Sequence, residues 1–249
     1  MTMKMQGNKI LMTGGGSGIG RALAHRFHDL GNEVIITGRQ RAKLDEAIAG
    51  RAQMRGELLD VEDPEAIRDF VHHLAATNSA INVLINNAGI MPLENIAEQR
   101  DLADAKAVIE TNLLGPIRMI DKMLPQLLSR PDPAIVNVTS GLAFQPTTRA
   151  PTYSATKAAL HSYTVSLRIA LAGKIEVIEL APPGVQTELT PGQAQNPAYQ
   201  PLEDYADEVM QLFQQQPTPS EILVERVKPL RFAERDGTVD KVLAMLNPA

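Results

Sequence analysis

An α/β fold, one parallel sheet covered by helices on both faces, is predicted by three features of this 249-residue chain. Short apolar runs alternate with longer stretches whose apolar residues recur at helical spacing. One of the runs, Val34–Thr37, is continuously apolar, as suits a sheet buried on both faces. The strand-then-helix order repeats along the chain, which is the order of parallel strands joined by crossover helices.

The first strand reads as Lys9–Met12. A helix follows over Gly18–Leu30, with Ile19, Leu23, Phe27 and Leu30 on one face, and Gly31-Asn32 ends it. Val34–Thr37 is the second strand, followed by a helix over Arg41–Ala49. Met54–Leu59, Ile81–Ile85, Ala134–Thr139 and Ile175–Leu180 are the next strands, with helices expected at Pro64–Ala75, Leu102–Leu128 and Tyr153–Ala172. That makes six strands. A seventh stays open, because the end of the chain, Val239–Leu246, reads as helix. Residues 188–219 hold five prolines and a glutamine run at Gln214–Gln216, which suits a substrate loop or lid. Val209-Met210, Leu212-Phe213 and Ile222–Val227 suggest short helices within and after it, and Tyr199, Tyr205, Leu212 and Phe213 offer apolar contacts to a ligand. No repeat or linker divides the chain, so residues 1–249 read as one domain.

Composition removes several functional classes. Hydrophobic residues are 44% and charged residues 21%, which excludes long disorder. The formal net charge of -5 and the lack of a basic stripe argue against a nucleic-acid partner. The chain has no cysteine, so disulfides, thiolate metal sites and cysteine nucleophiles are excluded. No apolar run approaches the roughly 18 residues of a membrane span, and residues 1–8 lack the apolar core of a secretory signal. A soluble cytoplasmic protein without a membrane partner is expected. The spacing of His25 and His28 could ligate a metal, but no third ligand stands near them, so no metal is expected.

The strongest local signal is Thr13-Gly14-Gly15-Gly16-Ser17-Gly18-Ile19-Gly20, between the first strand and the first helix. Glycines let backbone amides approach a phosphate, and the helix start adds free N–H groups and the positive end of its dipole. Further along, Tyr153 and Lys157 lie four residues apart, on one helix face and about 6 Å apart along its axis. A phenol has a reference pKa of about 10, and a neighbouring cation favours its phenolate. Ser140 ends the apolar strand Val136–Thr139, and Asn112 lies inside the long helical pattern.

Read as Thr-Gly-x-x-x-Gly-x-Gly, the turn resembles that of the short-chain dehydrogenase/reductase family, whose active site joins an Asn, a Ser, a Tyr and a Lys in this chain order. The resemblance covers roughly Met5 to Leu189. It implies a Rossmann-type doubly wound sheet of six or seven strands. It also implies an oxidoreductase acting on a small-molecule carbonyl or alcohol. Asn112, Ser140, Tyr153 and Lys157 would be its catalytic residues. Ser140 would hold the carbonyl oxygen and Tyr153 would exchange its proton. Lys157 would bind the nicotinamide ribose, and Asn112 would position a water. Gly14, Gly16, Ser17, Gly18, Ile19 and Gly20 would cradle the dinucleotide phosphates. Asp60 and Val61 would contact the adenine, and Asn87, Ala88 and Gly89 would line the floor. Pro183, Gly184, Val185 and Thr187 would meet the nicotinamide. Gly38 stands where NAD-preferring members carry an acid, and Arg39 follows it, so NADP(H) is expected over NAD(H).

The family's common helix pairing implies a homodimer, with a tetramer possible. The tail, residues 220–231, also resembles a bacterial branch named after the D-alanylation of lipoteichoic acid. The alternative left open is a non-catalytic dinucleotide sensor or regulator on the same fold. Such a protein should have lost Tyr153 or Lys157.

Overall fold

A computed structural model describes residues 2–77 and 80–248. Seven parallel strands form one sheet: β1 Lys9–Thr13, β2 Glu33–Gly38, β3 Met54–Leu58, β4 Val83–Asn86, β5 Ala134–Val138, β6 Glu176–Leu180 and β7 Glu221–Ile222. Their order is β3-β2-β1-β4-β5-β6-β7. The chain builds outward from β1 to one edge, then crosses to β4 and builds to the other. The switch therefore falls between the carboxyl ends of β1 and β4, which is where such sheets bind ligands.

Period-2 alternation sorts the strand residues onto the two faces. Ile10, Met12, Val34, Ile36, Val83, Ile85, Val136 and Ile178 share one core with α1 (Gly18–Asp29) and α7 (Leu202–Phe213). Leu11, Ile35, Leu84, Ile135 and Val177 share the other with α3 (Pro64–Thr77) and α5 (Gly115–Leu128). The remaining helices are α2 (Arg41–Ile48), α4 (Ala103–Ile109), α6 (Pro151–Ala170), α8 (Lys228–Arg231) and α9 (Val239–Leu246). None of the helices among the described residues is long and apolar enough to cross a membrane.

Three departures from the sequence reading have physical causes. The helix expected over 102–128 is interrupted by a π-helical turn, Glu110–Leu114, between α4 and α5. Such a turn inserts one residue into the hydrogen-bond ladder, a device frequent at functional sites. The segment Ile222–Val227 is not a helix from its start. Ile222 and Val224 alternate inward and are buried, so the chain enters the sheet as the short β7 and turns only at Glu225–Val227. The second half of 188–219 is not a lid surface. Tyr205, Val209 and Phe213 repeat every four residues on α7 and are buried in the core. There the Phe213 ring stands edge-on to Phe27, with centroids 5.7 Å apart. Tyr205 and Phe213 are therefore core residues and not ligand contacts.

Candidate active site

The glycine-rich turn sits at the sheet's switch point and is tied there by short polar side chains. The Thr13 hydroxyl accepts from the N–H groups of Asn87 and Ala88, at 3.1 Å each. The Asn87 amide donates back to the carbonyls of Thr13 and Gly14, at 3.1 and 3.0 Å. These bonds bring the ends of β1 and β4 so close that side chains are excluded. A Cβ on Gly20 would lie 2.3 Å from the Gly14 carbonyl oxygen and 2.4 Å from the Asn87 amide nitrogen. Gly14 also has a positive φ of 67°.

Gly20→Ala should therefore destabilise the protein by about 1–3 kcal/mol, the usual cost of overpacking. Thermal denaturation should show this as a fall in Tm of roughly 2–12 °C. Gly16→Ala is the control, because its Cβ would meet Leu44 at an ordinary 3.5 Å. Equal loss in the two variants would contradict this account of the turn.

The turn forms one end of a cleft of about 860 Å³ along the carboxyl edge of the sheet. Its walls include Gly14, Gly16, Ser17, Gly18, Ile19 and Gly20, then Arg39, Asp60, Val61, Asn87, Ala88 and Gly89. Ser140, Tyr153, Lys157, Pro183, Val185 and Thr187 complete them. Two expected residues do not line it. Gly184 borders a neighbouring cavity, under the ring of Tyr199. Asn112 is fully buried behind the wall, on the π-helical turn. Its amide clamps the backbone of Ile90, accepting from the N–H and donating to the carbonyl, at 2.9 Å each. The Asn112 carbonyl oxygen also lies 3.3 Å from where a Gly89 Cβ would be, with the Lys157 ammonium at 3.7 Å from the same point.

α6 carries both Tyr153 and Lys157, and the molecule fixes this helix at several points. Lys157 donates to the Val138 carbonyl at 2.8 Å, and Asn137 on β5 donates to the Thr164 hydroxyl at 2.9 Å. The amino end of α6 lacks a capping side chain of its own. The buried carboxylate of Glu94 supplies the cap from outside the helix, accepting the Thr152 N–H at 2.9 Å and its hydroxyl at 2.6 Å. A carboxylate at a helix amino terminus satisfies a free N–H and complements the dipole. Glu94 also pairs with Arg100, and its own N–H donates to the Arg149 carbonyl at 2.9 Å.

Burial sets the electrostatics of the site. It pushes the Tyr153 phenol up to about 12, against a hydrogen bond with Ser140 that lowers it. It pushes the Lys157 ammonium down to about 8. The sequence reading considered the lysine's charge but not this burial, which dominates the phenol in the empty site. Lys157 does lie 5.6 Å from the centroid of the Tyr153 ring. The Ser140 oxygen accepts the Leu142 N–H at 3.1 Å, so its own proton is the one directed to the Tyr153 oxygen.

Sequence reasoning missed several lining residues. Lys43 is an exposed second cation on the cleft wall that holds Arg39. A smaller cavity of about 160 Å³ shares Ser140 and Tyr153 with the cleft and is bordered by Arg149, Tyr199, Leu230 and Leu246. His161, Glu179 and Glu221 also converge, with one ligand-type atom from each within 4.8 Å of the others. His161 hydrogen-bonds Glu179 at 2.7 Å, and Arg231 grips Glu221 through two bonds of 2.8 and 3.0 Å. That guanidinium already supplies the positive charge that the two carboxylates call for.

Comparison with known proteins bears on the whole chain. A family model described as short chain dehydrogenase matches residues 8–198. An uncharacterized oxidoreductase, DltE, of Bacillus subtilis (strain 168) is 38% identical over 249 residues, covering 98% of each chain. An NADPH-dependent 1-acyldihydroxyacetone phosphate reductase of Schizosaccharomyces pombe is 36% identical over 189 residues, 74% of this chain and 62% of the other. Among solved structures, the closed form of a serine dehydrogenase complexed with NADP+ superposes with a TM-score of 0.77. It is 27% identical and covers 86% of this chain and 92% of its own.

Proposed function

Because the chain belongs to the short-chain dehydrogenase family, we propose that it interconverts a carbonyl and an alcohol on a small molecule, using NADP(H) and with Tyr153 as general acid or base. The observation that carries this reading is that Ser140 and Tyr153 line both the long cleft and the small cavity. A molecule in the small cavity would meet the contents of the cleft at these two hydroxyls.

The cleft fits a dinucleotide. Its volume suits a ligand of that size, and Gly14, Gly16 and Gly18 leave the backbone of the turn open on the cleft wall for approach to phosphates. Gly14 to Gly20 would hold the phosphates, and Asp60 and Val61 the adenine. Asn87, Ala88 and Gly89 would form the floor, and Pro183, Val185 and Thr187 would face the nicotinamide. When bound, this group donates or accepts the hydride.

The chain's own residues handle the oxygen. The Ser140 proton, which Leu142 does not use, would turn from Tyr153 to a substrate oxygen and hold negative charge developing there. Tyr153 is a neutral phenol near pH 7, the form that donates a proton in carbonyl reduction. Lys157 keeps a cation beside the phenol and would bind ribose hydroxyls. Asn112 holds the Ile90 backbone and would set the water path behind Lys157. We assign the homodimer contact to α4, α5 and α6, where Ile109 and Ile169 are exposed.

Arg39 is the basis of the NADP(H) preference. It is 55% exposed and, among the described residues, held only by Glu62, at 3.3 Å, so it can turn to a phosphate. Initial rates with NADPH and NADH in parallel, over a panel of aldehydes, ketones and alcohols, test the whole reading. Arg39→Ala should raise KM for NADPH by about 10- to 100-fold, as expected for losing a charge-assisted bond, and change KM for NADH little. A preference for NADH in both proteins would refute the cofactor assignment. No turnover of any compound by the unaltered protein would refute the activity.

A further inference from the structure

We propose that the substrate carries an acidic oxoanion group, a carboxylate, sulfonate or phosphate, and that Arg149 binds it. This deepens the oxidoreductase reading and rests on it. The small cavity is where a substrate would meet Ser140 and Tyr153. Among the described residues that border it, Arg149 is the only one with a charge. The others are apolar, such as Met91, Leu142 and Leu246, or neutral and polar.

Other arginines near the site have carboxylate partners: Arg100 holds Glu94 and Asp104, and Arg231 holds Glu221. The Arg149 side chain is exposed and has no such partner among the described residues. The acidic residues of the adjoining cleft do not supply one. Asp104 is taken by Arg100, and Glu188 lines the cleft but not the small cavity.

Arg149 stands on a fixed base. Its N–H donates to the Thr147 hydroxyl at 3.4 Å, and its carbonyl accepts the Glu94 N–H at 2.9 Å. The Thr147 hydroxyl reaches the Leu246 carbonyl, and Asn247 accepts the Thr148 N–H, so the carboxyl-terminal helix braces this turn. A guanidinium with free donors beside low-polarity walls binds an oxoanion through a two-pronged contact. A cavity of about 160 Å³ is below the roughly 300–1,000 Å³ of drug-sized pockets. The substrate is accordingly a short aldehyde or ketone with its acid a few atoms from the carbonyl.

Three matched pairs test this with NADPH: succinic semialdehyde against butanal, sulfoacetaldehyde against acetaldehyde, and glyceraldehyde phosphate against glyceraldehyde. In the unaltered protein, kcat/KM for the acid of at least one pair should exceed that of its neutral partner by about 10- to 100-fold, mainly through KM. Arg149→Met should bring the acid down to the level of the neutral compound, and Arg149→Lys should restore part of the gap. Neutral aldehydes reduced as well as acids, or a gap that persists in Arg149→Met, would overturn the subsite and leave the oxidoreductase reading standing. Turnover that survives Tyr153→Phe would overturn that reading instead. If no pair is reduced, thermal shift of the NADP-loaded protein with succinate decides. Stabilisation that Arg149→Met abolishes supports the subsite, and an equal response in both proteins refutes it.

Discussion

Tyr153→Phe should lower kcat for aldehyde reduction by about three orders of magnitude, within the range of 10²–10⁴ that a positioned general acid contributes. The substitution removes one oxygen from a side chain that is only 7% exposed, so the ring keeps its packing against Val108 and Ala150. What disappears is the proton that a substrate oxygen would take up, together with the hydrogen bond to Ser140. Fluorescence titration with NADPH should give a Kd within a few-fold of the unaltered protein, and the melting temperature should move by only a few degrees. Activity within tenfold of the original, with the fold intact, would mean that another group delivers the proton.

Lys157→Met should abolish most of the activity and at the same time stabilise the empty protein at neutral pH. The ammonium is held at a pKa of about 8 by burial, against 10.5 in an unfolded chain. A folded pKa below the unfolded value means that the charged form is disfavoured on folding. Below pH 8 the lysine is charged in both states and the folded protein bears the full penalty, about 3 kcal/mol. Between pH 8 and 10.5 that penalty fades, so this group makes stability rise with pH across that window. Methionine carries no charge to desolvate. It does leave the Val138 carbonyl without its donor, a loss of about 1–3 kcal/mol. The net gain at pH 7 is then up to about 2 kcal/mol, at most roughly 4–8 °C in Tm. Melting curves at pH 7 and pH 10 should show the advantage shrinking at the higher value. Above pH 10 the raised Tyr153 pKa works the other way, removing stability as pH climbs toward 12. A variant less stable than the original at pH 7, or an advantage unchanged at pH 10, would show that burial is not the controlling force at this lysine.

The parts of this molecule that could be read in the sequence are those whose geometry is local. The glycine turn and the Tyr153–Lys157 pair each span a handful of residues, and helix or turn geometry alone carries them into space. The central strands were legible because both faces of the sheet are covered there, which makes β2, β4 and β5 largely apolar. The π-helical turn at Asn112 left no trace, since it shifts the hydrogen-bond ladder by one residue without changing the apolar pattern. Ile222 and Val224 were ambiguous because a run of apolar residues this short fits either period. The small cavity was out of reach for a different reason. Met91, Arg149, Tyr199 and Leu246 come from four segments spread over more than half the chain, and only the closed fold makes them neighbours. The burial that raises the Tyr153 phenol was equally out of reach, because spacing reveals a neighbouring charge but not how far both groups are removed from water.

Glu94 has a practical consequence for anyone who tries to reprogramme this scaffold. The segment after β4 forms one wall of both cavities, through Met91 and Leu93, and is an obvious piece to exchange between relatives in search of a new specificity. Glu94 lies in the same segment, yet its carboxylate belongs functionally to α6. A graft that imports different wall residues without an acid at this position would fray the first turn of the helix that bears the phenol. Loss of turnover in such a chimera would then be mistaken for a poor substrate match.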